Sequence, residues 1–95
     1  MMIHIKVFGR VQGVGFRAWA VRQAHDLNLS GWVRNRISGC VEILAEGTDN
    51  NINDFLSRCR RGPLFGRVDR LEPVRFPDAP IPPIETGLFV TQPTA

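Results

Sequence analysis

Near the start of the chain, Ile3-His4-Ile5-Lys6-Val7 alternates apolar and polar residues, the two-residue period of a strand with one buried face. The three glycines from Gly9 to Gly15 then break any regular pattern and predict a shaped loop. Beyond it, Phe16, Ala20, Ala24 and Leu27 recur at helical spacing, with Arg22, Gln23 and Asp26 between them. A helix is therefore expected from Phe16 to about Leu29. Strands at about Gly31–Ile37 and Cys40–Ala45 flank Ser38-Gly39, a hairpin turn. Thr48-Asp49-Asn50-Asn51 offers N-caps for a second amphipathic helix. Its apolar positions Ile52, Phe55, Leu56 and Cys59 fall at i, i+3, i+4 and i+7, and Gly62-Pro63 ends it. A fourth strand over Val68–Phe76 leads into an extended connection carrying Pro77, Pro80, Pro82 and Pro83. A short fifth strand, Thr86–Thr91, follows, and residues 92–95 are expected to form a loose tail.

The order strand-helix-strand-strand-helix-strand predicts an α+β, ferredoxin-like βαββαβ sandwich. Its antiparallel sheet would have strands one and three in the middle and both helices on one face. There is no repeat, linker or low-complexity tract, so residues 1–95 read as a single domain. That scaffold hosts many unrelated activities, so function has to be argued from a site.

Composition narrows the field. A 95-residue chain can build a core but cannot also enclose a large cofactor. The 43% hydrophobic and 22% charged residues are ordinary globular usage and argue against disorder. Twelve Lys+Arg against nine Asp+Glu give a net charge of +3, and Lys6 is the single lysine. Guanidinium groups suit two-pronged contacts to phosphate or carboxylate, and a positive field draws in small anions. A plain basic surface would give the same balance. No apolar run is long enough for a signal peptide or a membrane span. Cys40 and Cys59 lack metal-ligand spacing, so a cytoplasmic protein with reduced thiols is expected.

The loop Gly9-Arg10-Val11-Gln12-Gly13-Val14-Gly15-Phe16-Arg17 joins a strand to a helix. Glycines there let successive N–H groups face one concavity, an anion-binding nest. The helix N-terminus adds partial positive charge, and Arg17 in the first turn can grip an anion with paired N–H bonds. Local chemistry alone also fits a tight connection with Arg17 in solvent. The Gly-Lys-Ser/Thr ending of nucleotide phosphate loops and the dinucleotide fingerprint are both absent, so the anion should be small.

Val7-Phe8-Gly9-Arg10-Val11-Gln12-Gly13-Val14-Gly15-Phe16-Arg17 resembles the first signature of the acylphosphatase family. Gly31-Trp32-Val33-Arg34-Asn35, followed by Gly39, Val41 and Gly47, resembles the second. The resemblance runs from about residue 3 to residue 76, and it implies the ferredoxin-like fold read above. It also implies hydrolysis of acyl phosphates, with Arg17 binding phosphate and Asn35 positioning the attacking water. The backbone of Val11, Gln12, Gly13, Val14, Gly15 and Phe16 would form the phosphate cradle. No metal, cofactor, nucleic acid or membrane is implied, and a monomer acting on a small-molecule acyl phosphate is expected. The Pro77–Pro83 segment is longer than is usual in the family, and the last strand lacks the aromatic ending of some members.

Other residues invite different chemistry. His4 and His25 suggest a general base, but the sequence offers no carboxylate partner for them, and solvated or packed rings are expected. Cys40 and Cys59 fit buried thiols, and Trp19 and Trp32 fit packing. Arg58, Arg60 and Arg61 complement a helix dipole. Glu42, Glu46 and Glu72 lack metal-ligand spacing. Three further readings are an RNA-binding ferredoxin-like module, a domain of a larger carbamoyl-transferring maturation protein, and a phosphate-binding but catalytically silent relative. Few exposed aromatics, the absence of Tyr, the start at Met1 with a short polar tail, and the intact Arg17 and Asn35 argue against them in turn.

Overall fold

In the computed structural model, which describes residues 1–95, seven elements follow one another along the chain. They are β1 (Met2–Arg10), α1 (Phe16–Asp26), β2 (Ser30–Asn35), β3 (Val41–Glu46), α2 (Asp49–Arg61), β4 (Arg67–Pro73) and β5 (Phe89–Thr91). The alternation in β1 buries Ile5 and Val7 against the helices and leaves His4 and Lys6 on the other face of the sheet. Helix α1 turns Phe16, Ala20 and Ala24 inward. Helix α2 is capped by Thr48, whose Oγ1 accepts from the Asn51 N–H at 3.2 Å, and it buries Ile52, Phe55 and Cys59. These side chains meet Val33, Val41, Ile43 and Ala45 in one core between the helices and the inner face of the sheet. Burying a side chain the size of Ile52 or Phe55 contributes about 1.5–3 kcal/mol. No helix is long and apolar enough to cross a membrane.

The sheet order is β4-β1-β3-β2-β5. Strands β1 and β3 lie adjacent inside it, as the βαββαβ reading requires, and the first four strands pair antiparallel. The fifth corrects the expectation of a wholly antiparallel sheet: β5 pairs parallel to β2, from Gly31↔Phe89 to Val33↔Thr91. The cause is topological. β4 and β5 occupy opposite edges, and a parallel partner has to be reached by a crossover. With the helices on one face, residues 74–88 cross the other.

This crossing strap is tied down along β2. Asp78 accepts from Arg36 at 2.9 Å and from Lys6 at 3.3 Å. The Pro80 carbonyl accepts from Arg34 at 3.2 Å, and the Pro82 carbonyl from the Trp32 indole at 2.8 Å. Each two-residue step of the strap thus meets a two-residue step along β2 and the residue just past its end, from Trp32 through Arg34 to Arg36.

Element ends shift from the sequence reading. β4 stops at Pro73 because the chain bends away to begin the strap. β5 starts at Phe89, since a turn at Glu85–Leu88, closed by Leu88 N–H to Glu85 O at 3.0 Å, consumes the preceding residues. Residues 92–95, expected to be loose, extend the ladder along β2. Gln92 N–H bonds Val33 O at 2.9 Å, Ala95 N–H bonds Asn35 O at 3.1 Å, and Ile37 N–H bonds Ala95 O at 2.8 Å.

Candidate active site

The loop between β1 and α1 is shaped by two glycines at positive φ, Gly13 at 74° and Gly15 at 78°. A Cβ at either position would meet nothing within 4 Å, so backbone conformation rather than space calls for glycine. Gly15 occupies the N-cap of α1 without a side-chain cap. The first N–H taken up there is that of Trp19, bonded to Gly15 O at 3.1 Å, and no loop or cap bond uses an N–H between Val11 and Ala18. A run of unpaired donors therefore meets the positive end of the helix dipole, which is the electrostatic signature of an anion site.

Arg17 lies half-buried in the first turn of α1. The chain's arginine ion pairs are made by Arg34, Arg36, Arg58, Arg67 and Arg70, and none engages Arg17. Asn35 ends β2 on the core-facing side, in register with Val33. Its Oδ1 is buried and has no hydrogen-bond partner. Such an orphaned acceptor costs roughly 1–3 kcal/mol, and a donor entering from the cleft would relieve that cost.

One cleft of about 340 Å³ collects Val11, Gly13, Gly15, Phe16, Arg17 and Asn35. Two members of the predicted cradle lie outside its lining. The Gln12 side chain reaches to the β2–β3 hairpin instead, and Val14 packs against the core. Two residues that were not anticipated join the lining, Ala18 and Thr91. Ala18 follows from its place one residue after Arg17. Thr91 had no sequence signal, because only the parallel pairing of β5 with β2, which sets Thr91 opposite Val33, carries it into the cleft that Asn35 lines.

Behind Asn35, on the outer face of the sheet, lies a charged network that the sequence reading missed. Glu42 is 1% exposed. Its Oε1 accepts from Arg34 Nε at 2.8 Å and from Arg36 Nη1 at 3.0 Å. Its Oε2 lies 2.5 Å from His4 Nε2, so His4 does have a carboxylate partner. The available signal was the register of the hairpin, which sets Arg34 directly opposite Glu42. Burial pushes the Glu42 carboxyl up, but hydrogen bonds from Arg34 and His4, with their charges, outweigh it and hold the group below the usual range. Hydrogen bonds from Arg36 and then Lys6 pull Asp78 down to about 2. The Asp78 bond is also the main reason the Arg36 value is raised.

The remaining candidates stay apart from the cleft. His25 is exposed, with its Nε2 3.2 Å from Phe89 O. Cys40 and Cys59 are free and buried, and burial pushes the Cys59 thiol up to about 12. Trp32 is fully buried, and Trp19 leans on Phe16 with ring centroids 5.4 Å apart. No three His, Cys, Asp or Glu side chains gather as a metal site would require.

A cleft of this construction can hold a small tetrahedral anion against main-chain donors and one guanidinium, with a carboxamide alongside. Known proteins bear on what that anion is. The acylphosphatase family model matches residues 3–79. An acylphosphatase of Rhizorhabdus wittichii is 51% identical over 70 residues, covering 74% of this chain and 69% of its own. The crystal structure of an acylphosphatase from Bacillus subtilis superposes with a TM-score of 0.80 at 35% identity, covering 96% of this chain and 97% of its own. A region making up 12% of the T. kodakarensis HypF structure matches the whole chain with a TM-score of 0.78 at 33% identity. With the match extending through both signatures and the sheet that carries them, the chain belongs to the acylphosphatase family.

Proposed function

We propose that the chain hydrolyses the carboxyl–phosphate bond of acyl phosphates, with Arg17 and the 11–16 backbone binding phosphate and Asn35 holding the attacking water. The observation that carries this reading is the meeting of an unengaged Arg17 and the unpaired Asn35 Oδ1 in one cleft beneath a run of free N–H groups. The water oxygen bonds to phosphorus as the bond from phosphorus to the acyl oxygen breaks. The carboxylate leaves with the bonding pair, and a proton of the water passes to a phosphate oxygen: R–CO–O–PO₃²⁻ and H₂O give R–COO⁻ and H₂PO₄⁻. Phosphoryl transfer of this kind is served mainly by positioning and charge stabilisation. A carboxylate is a weak base and departs without a strong general acid. Asn cannot take a proton near neutral pH, so its part is orientation.

No step in this scheme is routed through a metal or cofactor. The reading extends to a single chain working in the cytoplasm on a small diffusible substrate, supported by the two free cysteines. Phosphate release from acetyl phosphate, measured with excess chelator, tests it. Arg17→Ala should abolish turnover and relieve inhibition by inorganic phosphate. Asn35→Ala should keep that inhibition and lose ~10²–10³ in kcat, the usual cost of one preorganised group. Near-normal turnover by the Asn35 variant would show that water is held elsewhere.

A further inference from the structure

The phosphate loop and Asn35 belong to elements that do not touch through the sheet. β3 lies between β1 and β2 in the strand order, and its pairing ends at Val41, opposite Val7 on one side and Asn35 on the other, so beyond Val7 no backbone ladder ties the chain that leads into the cradle to the end of β2. One side chain makes that link. Gln12 Nε2 donates to Arg36 O and to Cys40 O, both at 2.8 Å. These two carbonyls form the neck of the β2–β3 hairpin, where Arg36 N–H bonds Cys40 O at 2.9 Å and Gly39 N–H bonds Arg36 O at 3.0 Å. Arg36 directly follows Asn35. Both N–H donors of the Gln12 amide are therefore spent on the strand end that carries the carboxamide.

We infer that Gln12 is a positioning residue for hydrolysis: its side chain fixes the spacing between bound phosphate and the water at Asn35. The inference deepens the proposed function and rests on the water-holding role of Asn35. The chemistry is particular to an amide. A carboxylate of the same length would turn acceptors toward two carbonyls and push the hairpin away. An alanine would leave the spacing unset, and asparagine would fall one methylene short. A shift of about 1 Å in a reacting group can cost on the order of 10²-fold in rate. The cradle's own N–H groups and Arg17 are untouched by any of these changes, so affinity for phosphate should persist.

The test is steady-state kinetics on acetyl phosphate for Gln12→Ala, Gln12→Glu and Gln12→Asn, each shown to be folded by circular dichroism and thermal melting. Any one that folds suffices. Expected is a fall in kcat of about 10–100-fold, while KM and the inhibition constant for inorganic phosphate stay within about twofold of wild type. Because Gln12 acts through Asn35, adding Gln12→Ala to Asn35→Ala should change kcat by no more than about twofold, the non-additivity of coupled sites. The inference is overturned if kcat is unchanged, if phosphate inhibition weakens in step with kcat, or if the two substitutions multiply. Failure of the underlying reading shows separately, as undiminished turnover in Asn35→Ala alone.

Discussion

Replacing Glu42 by Gln removes one negative charge and almost no volume, so any loss of stability comes from electrostatics rather than a cavity. In the native chain a single Oε1 serves Arg34 at 2.8 Å and Arg36 at 3.0 Å. The two guanidinium-bearing side chains are only 5% and 9% exposed. With Gln in place, Arg34 keeps the Pro80 carbonyl, and Arg36 keeps the Ala95 carbonyl and Asp78. Asp78 is the one carboxylate remaining to either, and its side chain is 58% exposed. Two largely buried cations then face one another without the anion between them. Removing one partner from a buried ion pair costs about 3–5 kcal/mol, against a total of about 5–15 kcal/mol for a domain. At about 4–8 °C per kcal/mol for a domain of this size, Tm should drop by at least about 12 °C. Urea titration and thermal melting of Glu42→Gln beside wild type measure it, and Arg34→Met in the Glu42→Gln background should recover part of the loss by removing one stranded cation. A Glu42→Gln variant within about 1 kcal/mol of wild type would refute the reasoning, because the network would then be no more than a screened surface cluster.

Two further outcomes follow from the titrating groups. Asp78 sits at about 2 in the folded chain, below its ordinary 3.8, so its stabilisation is present above about pH 4 and is lost as pH falls through about 2. Urea midpoints of wild type and Asp78→Asn should therefore differ at about pH 5 and converge at about pH 2; a gap that widened in acid would contradict the sign. Cys59, held at about 12 by burial, should resist a chromogenic disulfide reagent at about pH 8 until denaturant exposes it. Rapid labelling of Cys59 in the native chain would place it outside the core.

The elements that carry the site were legible because local rules decide them. The two-residue period of β1, the glycines of the loop and the spacing of Phe16, Ala20 and Ala24 each have a single good structural solution, and together they put Arg17 at a helix start. Asn35 was legible only through its motif, since a polar residue at a strand end has many structural uses. The outer face was hidden for a different reason. His4, Arg34, Arg36 and Glu42 look like the solvated half of alternating strands, and nothing in the local pattern says that a proline-rich segment some forty residues downstream of Arg34 will cover them. The same strap decides β5: once residues 74–88 cross the sheet, the last strand enters parallel to β2, brings Thr91 to the cleft and leads residues 92–95 onto Asn35 instead of into solvent.

Strand β2 thereby serves two environments by alternation alone. Trp32, Arg34 and Arg36 face the strap, while Val33 and Asn35 face the core and the cleft. Every bond that holds the first set also restrains the backbone of the second. Arg34 and Arg36 are fixed on either side of Asn35 by Glu42, and its carbonyl is bonded by Ala95 N–H at 3.1 Å. A carboxamide with an unpaired oxygen has no partner of its own to set its place, so the backbone beneath it must do so. Burying two arginines and a glutamate is a poor way to gain stability, since an apolar substitute is often as good or better. Their bonds do, however, have fixed lengths and directions, and those bonds immobilise the residues immediately before and after Asn35, where an apolar layer would let the strand end slide.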